Sequence, residues 1–234
     1  GLFRTEPDAS KHAGISYLLS PRDATGLDVR PLKMMNGGLE FCEVFFDDVR
    51  IPAANLVGRR GEGWKVSRST LKHERMLIGD ASGARRGFDE LLKLARRSER
   101  DGRPAIEDPQ IRQRLAEIEG YVVTQEYAVA RMLTALHKSE DAKVMSELMM
   151  AKLLSTNTGQ QVARLAMDLL GDTGLTSPRG DDVVMGVPHE YADGFWISHY
   201  MMTLGSAIAG GASNIQRNII GERLLGLPRD ERRN

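Results

Sequence analysis

Cysteine is almost absent: Cys42 is the single one in the chain. One cysteine forms no intrachain disulfide and no thiolate metal cluster, so nothing points to an oxidising compartment and the expected location is the cytoplasm. Neither sign of charge is in excess, with 32 Lys+Arg against 32 Asp+Glu in 234 residues. A net charge of zero argues against a protein built to coat nucleic acid or an acidic membrane. Long apolar runs are lacking too; none approaches the roughly 18 residues of a membrane helix. The start, Gly1-Leu2-Phe3-Arg4-Thr5-Glu6-Pro7, has neither an initiator Met nor a charged segment followed by an apolar one. A signal peptide is therefore not expected, and the chain reads as the interior of something longer. There is no internal repeat and no low-complexity tract.

Several catalytic signatures are missing as well. The five histidines (His12, His73, His137, His189, His199) contain no i,i+4 pair and no H-E-x-x-H, so no metal site is expected. No G-x-S-x-G, G-x-x-x-x-G-K-[ST] or G-x-G-x-x-G occurs, which removes the usual serine nucleophile and phosphate-loop readings.

What is present is an ordinary globular composition, 41% hydrophobic and 27% charged, arranged in two unlike parts. Up to about residue 60 the pattern is strand and turn: Gly14–Leu19, Leu27–Arg30 and Glu40–Phe46, separated by Pro21, Gly26 and Gly37-Gly38. These are too few strands to close a sheet with a covered face, so a piece of a larger antiparallel β-domain is expected. Beyond residue 60 the period is helical. Trp64, Leu71, Ile78, Ala81, Ala84, Phe88, Leu91 and Ala95 fall at spacings of three, four or seven and predict helix from Glu62 to about Ser98. Asp108-Pro109 supplies an N-cap and a first-turn proline for the next helix. Its stripe is Ile111, Leu115, Ile118, Val122, Val129, Met132 and Leu136, interrupted by Gln125. A third helix is predicted over Ser139–Leu170, ended by Gly171. A loop over 172–187, a fourth helical stretch over Glu190–Leu204 and a last helix over Asn214–Leu225 follow. Helices this long on short connections predict an antiparallel bundle, with Arg96–Asp108 a loop and Arg229–Asn234 a charged tail. The fold class is thus mostly α, a C-terminal antiparallel four-helix bundle preceded by part of an antiparallel β-domain.

Glu74 stands out because it lies within the apolar arc formed by Leu71, Leu77, Ile78 and Ala81. A carboxylate drawn out of water gains a raised pKa and can act as a general base near neutral pH. The competing reading is a structural Glu paired with Arg75 or reaching past the helix edge. The segment Gly205–Gln216 is a glycine-containing turn running into a helix, where free backbone amides suit an anion or a carbonyl oxygen gaining charge. Close helix packing over those glycines is the alternative. Leu170–Gly174 alone is only a helix stop.

Four ordered segments carry a resemblance. Phe45–Gly58 (FFDDVRIPAANLVG), Gly61–Lys65 (GEGWK), Leu169–Gly174 (LLGDTG) and Ala209–Arg223 (AGGASNIQRNIIGER) resemble, in this order and spacing, the C-terminal portion of the acyl-CoA dehydrogenase family. The resemblance covers essentially the whole chain. It implies the C-terminal half of a middle β-domain over 1–58, a helical bundle domain over 59–228 and a tail over 229–234. It also implies FAD, an acyl-CoA thioester substrate, and α,β-dehydrogenation in which a carboxylate takes the α-proton and the β-hydride goes to flavin N5. Electrons would pass to an electron-transfer flavoprotein, and the assembly would be a homo- or hetero-tetramer.

In many members of that family the base is a Glu in the last loop, just before the glycine matching Gly211. Here that position is Gly210. A minority, resembling the isovaleryl-CoA and long-chain enzymes, carries the Glu on the first C-terminal helix, at the position of Glu74 in Leu71-Lys72-His73-Glu74-Arg75. The resemblance therefore implies Glu74 as base, with the Gly210 N–H on the thioester oxygen. It implies Arg75, Leu71 and Gly211 as substrate-binding residues. Gly171, Gly174, Ala212, Asn214 and Asp168 would bind the cofactor. Three of these positions depart from the family: its flavin-contacting Thr is Ala212, the next contact position is Asn214, and the Gln before the glycine turn is Asp168. The R-x-x-F-G segment and the Arg-Asp-Ala segment before the last loop are also replaced. Two further readings follow from those departures: a flavin-dependent oxygenase or oxidase of the same superfamily, and a non-catalytic partner subunit of a mixed oligomer. With no net field to recruit an anionic CoA, local groups such as Arg75 and backbone amides have that task.

Overall fold

The computed structural model describes residues 1–78, 81–139, 141–176 and 192–228; the side chains of 72–78, 141–143 and 145–147 lie outside that description. Two compact units are formed, one by 1–34 with 38–74 and the other by 35–37 with 75–234.

In the first unit, β1 (Leu2–Arg4), β2 (Ile15–Leu18) and β5 (Leu56–Val57) make an antiparallel sheet in the order β1-β2-β5. A separate antiparallel ribbon pairs β3 (Leu27–Leu32) with β4 (Phe41–Phe46), from Leu27 opposite Phe46 to Leu32 opposite Phe41. The strands expected from the alternation are there. The two-residue strand β5 and the strand β1 have no such period and exist because β2 pairs with them. Ser16 is the polar pivot of the first sheet: fully buried, its Oγ shares a 2.7 Å hydrogen bond with Thr5 Oγ1 and accepts the Gly61 N–H at 2.9 Å. Helix α1 (Gly63–Ile78) starts directly against that strand. A Cβ on Gly63 would lie 2.4 Å from the Ser16 carbonyl carbon and 2.5 Å from the Tyr17 nitrogen, so only glycine permits the approach.

The expected apolar face of α1 needs correcting at two positions. Trp64 is 37% exposed and Leu71 43% exposed. Trp64 stacks its ring on His12 at 4.1 Å instead of entering a core, an arrangement its amphipathic indole tolerates.

The second unit is helical: α2 (Ala81–Arg97), α3 (Pro109–His137), α4 (Asp141–Leu170), α5 (Asp193–Ser206) and α6 (Ser213–Arg223). Of the helical run expected from Glu62 to Ser98, Gly63–Ile78 and Ala81–Arg97 are helical, and residues 79–80 lie outside the described residues. The stretch between α2 and α3, expected as a loop, carries a short antiparallel hairpin, β6 (Glu99–Arg100) with β7 (Arg103–Pro104), and a 3-10 turn over Ala105–Glu107. Asp101 and Gly102 at its tip have φ of 52° and 73°, the left-handed pair a tight turn requires. Most of the predicted loop over 172–187 and the whole of the charged tail fall outside the described residues.

Four helices of this unit share one core. Phe88, Leu91, Leu94 and Ala95 of α2 meet Ile111, Leu115, Ile118 and Val122 of α3, with Val162, Leu165 and Ala166 of α4 and Trp196 of α5. A second cluster, Met132 and Ala135 with Val144 and Leu148, joins α3 to α4 near their connection. Ala135, not the expected Leu136, takes the last inward position of α3, because a 3.6-residue period drifts over this length. Asp108 caps α3 as anticipated, accepting from Gln110 N at 2.7 Å and Ile111 N at 3.2 Å. Arg85 of α2 clamps Glu126 of α3 with two bonds, 2.8 and 3.1 Å.

Candidate functional site

Between α5 and α6 lies the loop that holds Gly210 and Gly211, with φ of 62° and 101°. The φ of Gly211 lies in a region L side chains rarely adopt, so glycine is required there. The loop is tied at both ends. The Ala207 carbonyl accepts Ser213 N at 3.1 Å and Ser213 Oγ at 3.2 Å, which closes the segment between them. The buried Gln216 donates from Nε2 to the Gly210 carbonyl at 3.2 Å.

The N-cap of α6 is Ala212, which has no side-chain oxygen to satisfy the first amides of the helix. Among the described residues the N–H groups of Gly210, Gly211 and Ala212 have no hydrogen-bond partner. They are half-buried, at the positive end of the helix macrodipole. Such a set of donors suits a carbonyl oxygen, or the anionic edge of a bound group, that accumulates negative charge. Asn214, the next expected cofactor position, is exposed and accepts Arg217 Nη1 at 3.5 Å.

Lys152 on α4 also reaches this loop, and sequence reasoning missed it. It is 4% exposed, and its Nζ donates to the same Ala207 carbonyl at 3.2 Å. Burial pushes its pKa below the ordinary lysine range. The available signal was its place on the inward arc of α4, four residues after Leu148 and beside Ala151, where a lysine is unexpected.

At the end of α4, Gly171 turns the chain with a φ of 54°, and a Cβ there would meet open space. Gly174 is buried, and a Cβ on it would meet the flexible end of Met167, Cε, at 2.9 Å. Gly171 lines an open cleft of about 550 Å³ together with Glu99, Arg100, Gln110, Arg114 and Asp168. Its two arginines are paired: Arg114 Nη1 bonds Asp168 Oδ2 at 2.6 Å, and Arg100 Nε lies 3.4 Å from Asp108 Oδ2. Arg97, another cation of this stretch, is paired with Asp193 at 2.6 Å. The structure thus brings Asp168 and Gly171 together at one cleft. Gly210, Gly211, Ala212 and Asn214 are together at the last loop.

Glu74 and Arg75 lie on α1, and their side chains are outside the described residues; Leu71, one turn before, is exposed. Among the described residues there is no cluster of three or more His, Cys, Asp or Glu able to hold a metal, and no helix long and apolar enough to cross a membrane.

The residues present fit a flavin dinucleotide at two places. The unpartnered amides of Gly210–Ala212 are free donors for a polar ring edge. The open space beyond Gly171 leaves room at a cleft whose two guanidinium groups are already paired with carboxylates.

Comparison with known proteins bears on the same segments. The family model for the acyl-CoA dehydrogenase C-terminal domain matches residues 61–225. Acyl-CoA dehydrogenase IpdE1 of Mycobacterium tuberculosis is 38% identical over 232 residues, which is 98% of this chain and 55% of that protein. The chain spans about half the length of this relative and of its Mycolicibacterium smegmatis counterpart, 37% identical. Among solved structures, a variant of the Tcur3481-Tcur3483 steroid ACAD superposes with a TM-score of 0.79 at 25% identity, covering 98% of this chain and 57% of that one. A chain of the ChsE4-ChsE5 complex from Mycobacterium tuberculosis superposes with a TM-score of 0.74 at 27% identity, covering 98% and 57%.

Proposed function

The chain belongs to the acyl-CoA dehydrogenase family, and on that premise we propose that it carries the proton-abstracting and thioester-binding half of an FAD-dependent α,β-dehydrogenation of an acyl-CoA. The observation that carries this reading is the set of unpartnered N–H groups at Gly210, Gly211 and Ala212, in the last loop before α6.

In this reading the thioester oxygen accepts a hydrogen bond from the Gly210 N–H. That contact strengthens as the α-proton leaves and negative charge moves onto the oxygen, which is where oxyanion stabilisation gains most. Glu74 removes the proton. The sequence supports it, since the last-loop position has a glycine in place of a carboxylate while α1 has the Glu74-Arg75 pair at the alternative position. Arg75, Leu71 and Gly211 border the acyl-CoA. FAD, when bound, supplies the acceptor for the β-hydride. Gly171, Gly174, Ala212, Asn214 and Asp168 are the residues assigned to hold it, with Ala212 contributing its backbone N–H where the family has a threonine. Electrons then leave to an electron-transfer flavoprotein.

A second reading is a non-catalytic partner subunit in a mixed tetramer. The replaced flavin contacts at Ala212 and Asp168 favour it, together with the likeness to a chain of the ChsE4-ChsE5 complex. An anaerobic titration of the full-length protein with a panel of acyl-CoA thioesters, from short straight chains to steroid side-chain thioesters, separates the readings. Loss of the oxidised flavin absorbance without oxygen is expected. Absence of bound flavin would instead support the partner-subunit reading, and an oxygenated product formed on admitting air would support an oxygenase.

A further inference from the structure

Two adjacent glycines give the last loop more backbone freedom than any other pair of residues would, so a single conformation has to be imposed from outside. Three side chains do so. Gln216 holds the Gly210 carbonyl from α6 at 3.2 Å. Gln160, eight residues after Lys152 on α4, holds the Thr203 carbonyl of α5 at 3.2 Å. Lys152 holds the Ala207 carbonyl at 3.2 Å, where Ser213 N and Ser213 Oγ also converge.

The lysine is the unusual member. Lys152 is a buried residue whose ammonium has one backbone carbonyl as its hydrogen-bond partner among the described residues, so it is drawn from water with little return there. Replacing a buried ionic group by an apolar one of the same shape is often neutral or stabilising. Among the described residues, stability alone does not call for a lysine here. What it does give is a charge-assisted hydrogen bond, stronger than a neutral one, aimed at the residue where α5 ends and the loop begins.

We propose that Lys152 is the positioning residue of the last loop: by drawing the Ala207 carbonyl onto α4 it fixes the unpartnered N–H groups of Gly210 and Gly211 for the thioester oxygen. The loop tie itself stands on this geometry alone; its purpose rests on the dehydrogenase reading. Lys152 touches no reacting atom and acts through the backbone.

The test uses the full chain with Lys152→Met, which keeps length and apolar volume, and Lys152→Arg, which keeps the cation. Hydrogen exchange is followed at Ile208, Ala209 and Ser213, whose N–H groups bond the Gly205 and Ala207 carbonyls. Lys152→Met is expected to speed exchange there at least about tenfold, while α2 and α3 stay at the wild-type rate and the thermal midpoint stays or rises. Lys152→Arg is expected to restore most of the protection. Wild-type exchange in Lys152→Met, or an equal rise throughout the bundle, overturns the tie. In the full-length FAD-loaded protein, kcat should fall about tenfold in Lys152→Met with KM nearly unchanged, because the oxyanion contact is strongest in the transition state. An unchanged kcat beside a loosened loop overturns the positioning role. A wild type that bleaches with no acyl-CoA overturns the dehydrogenase reading instead, and the exchange result still decides the tie.

Discussion

At the scale of single residues, two charged groups carry the proposals, one from the sequence and one from the fold. Glu74 is legible from the sequence because its neighbours at three, four and seven residues are apolar, and because Gly210 leaves the alternative position without a carboxylate. Lys152 is not legible in the same way, since its partner is a backbone carbonyl 55 residues away and no pattern along the chain records that meeting. Asp168 is an intermediate case. The sequence marks it as a carboxylate before a glycine turn, but only the fold shows that it neutralises Arg114. Asp168→Asn should free that guanidinium for a phosphate. Exposed pairs of this kind are worth about 0.2–1 kcal/mol, so the affinity of the full chain for ADP should rise by up to roughly five-fold. Calorimetric titration checks this, and equal affinities in the two proteins would remove Asp168 from the account of the cleft.

Secondary-structure elements were the most readable level wherever a period ran long. The stripe of α3 and its Asp108-Pro109 start follow directly from spacing and capping chemistry. The hairpin of β6 and β7 and the two-residue strand β5 did not announce themselves, because pairing with a neighbour and not local alternation creates them. The α3 cap gives a direct check: Asp108→Ala removes the acceptor of Gln110 N and Ile111 N and should cost about 1 kcal/mol, lowering the thermal midpoint by roughly 2–4 °C. The Arg85–Glu126 clamp between α2 and α3 makes stability depend on acid. Its hydrogen bonds from Arg85 hold the Glu126 carboxyl below its ordinary 4.5. A carboxylate with a depressed folded pKa contributes stability that is fully present above its unfolded value and is lost as pH falls through the folded one. The thermal midpoint should therefore drop between about pH 5 and pH 3, and less so in Arg85→Gln. An identical acid profile in the variant would contradict the assignment.

For the whole molecule, the decisive fact is proportion. The chain spans about half of its 37–38% identical relatives, and its β3–β4 ribbon exposes Phe41, Val44, Phe45 and Phe46. A two-stranded ribbon is marginal by itself. The helical bundle closes its own core around Trp196, whereas among the described residues the last loop is only half-buried and the cleft beside Gly171 is open. The isolated 234-residue chain should accordingly keep FAD only substoichiometrically through a desalting column. One tightly held flavin per chain would show that these residues suffice. The central claim is that Glu74 is the base, and full-length Glu74→Gln tests it most directly. Titrated anaerobically with the thioester that bleaches the wild type best, the variant should keep its FAD and its affinity for the acyl-CoA yet leave the flavin absorbance unchanged. Bleaching at the wild-type rate would contradict the account.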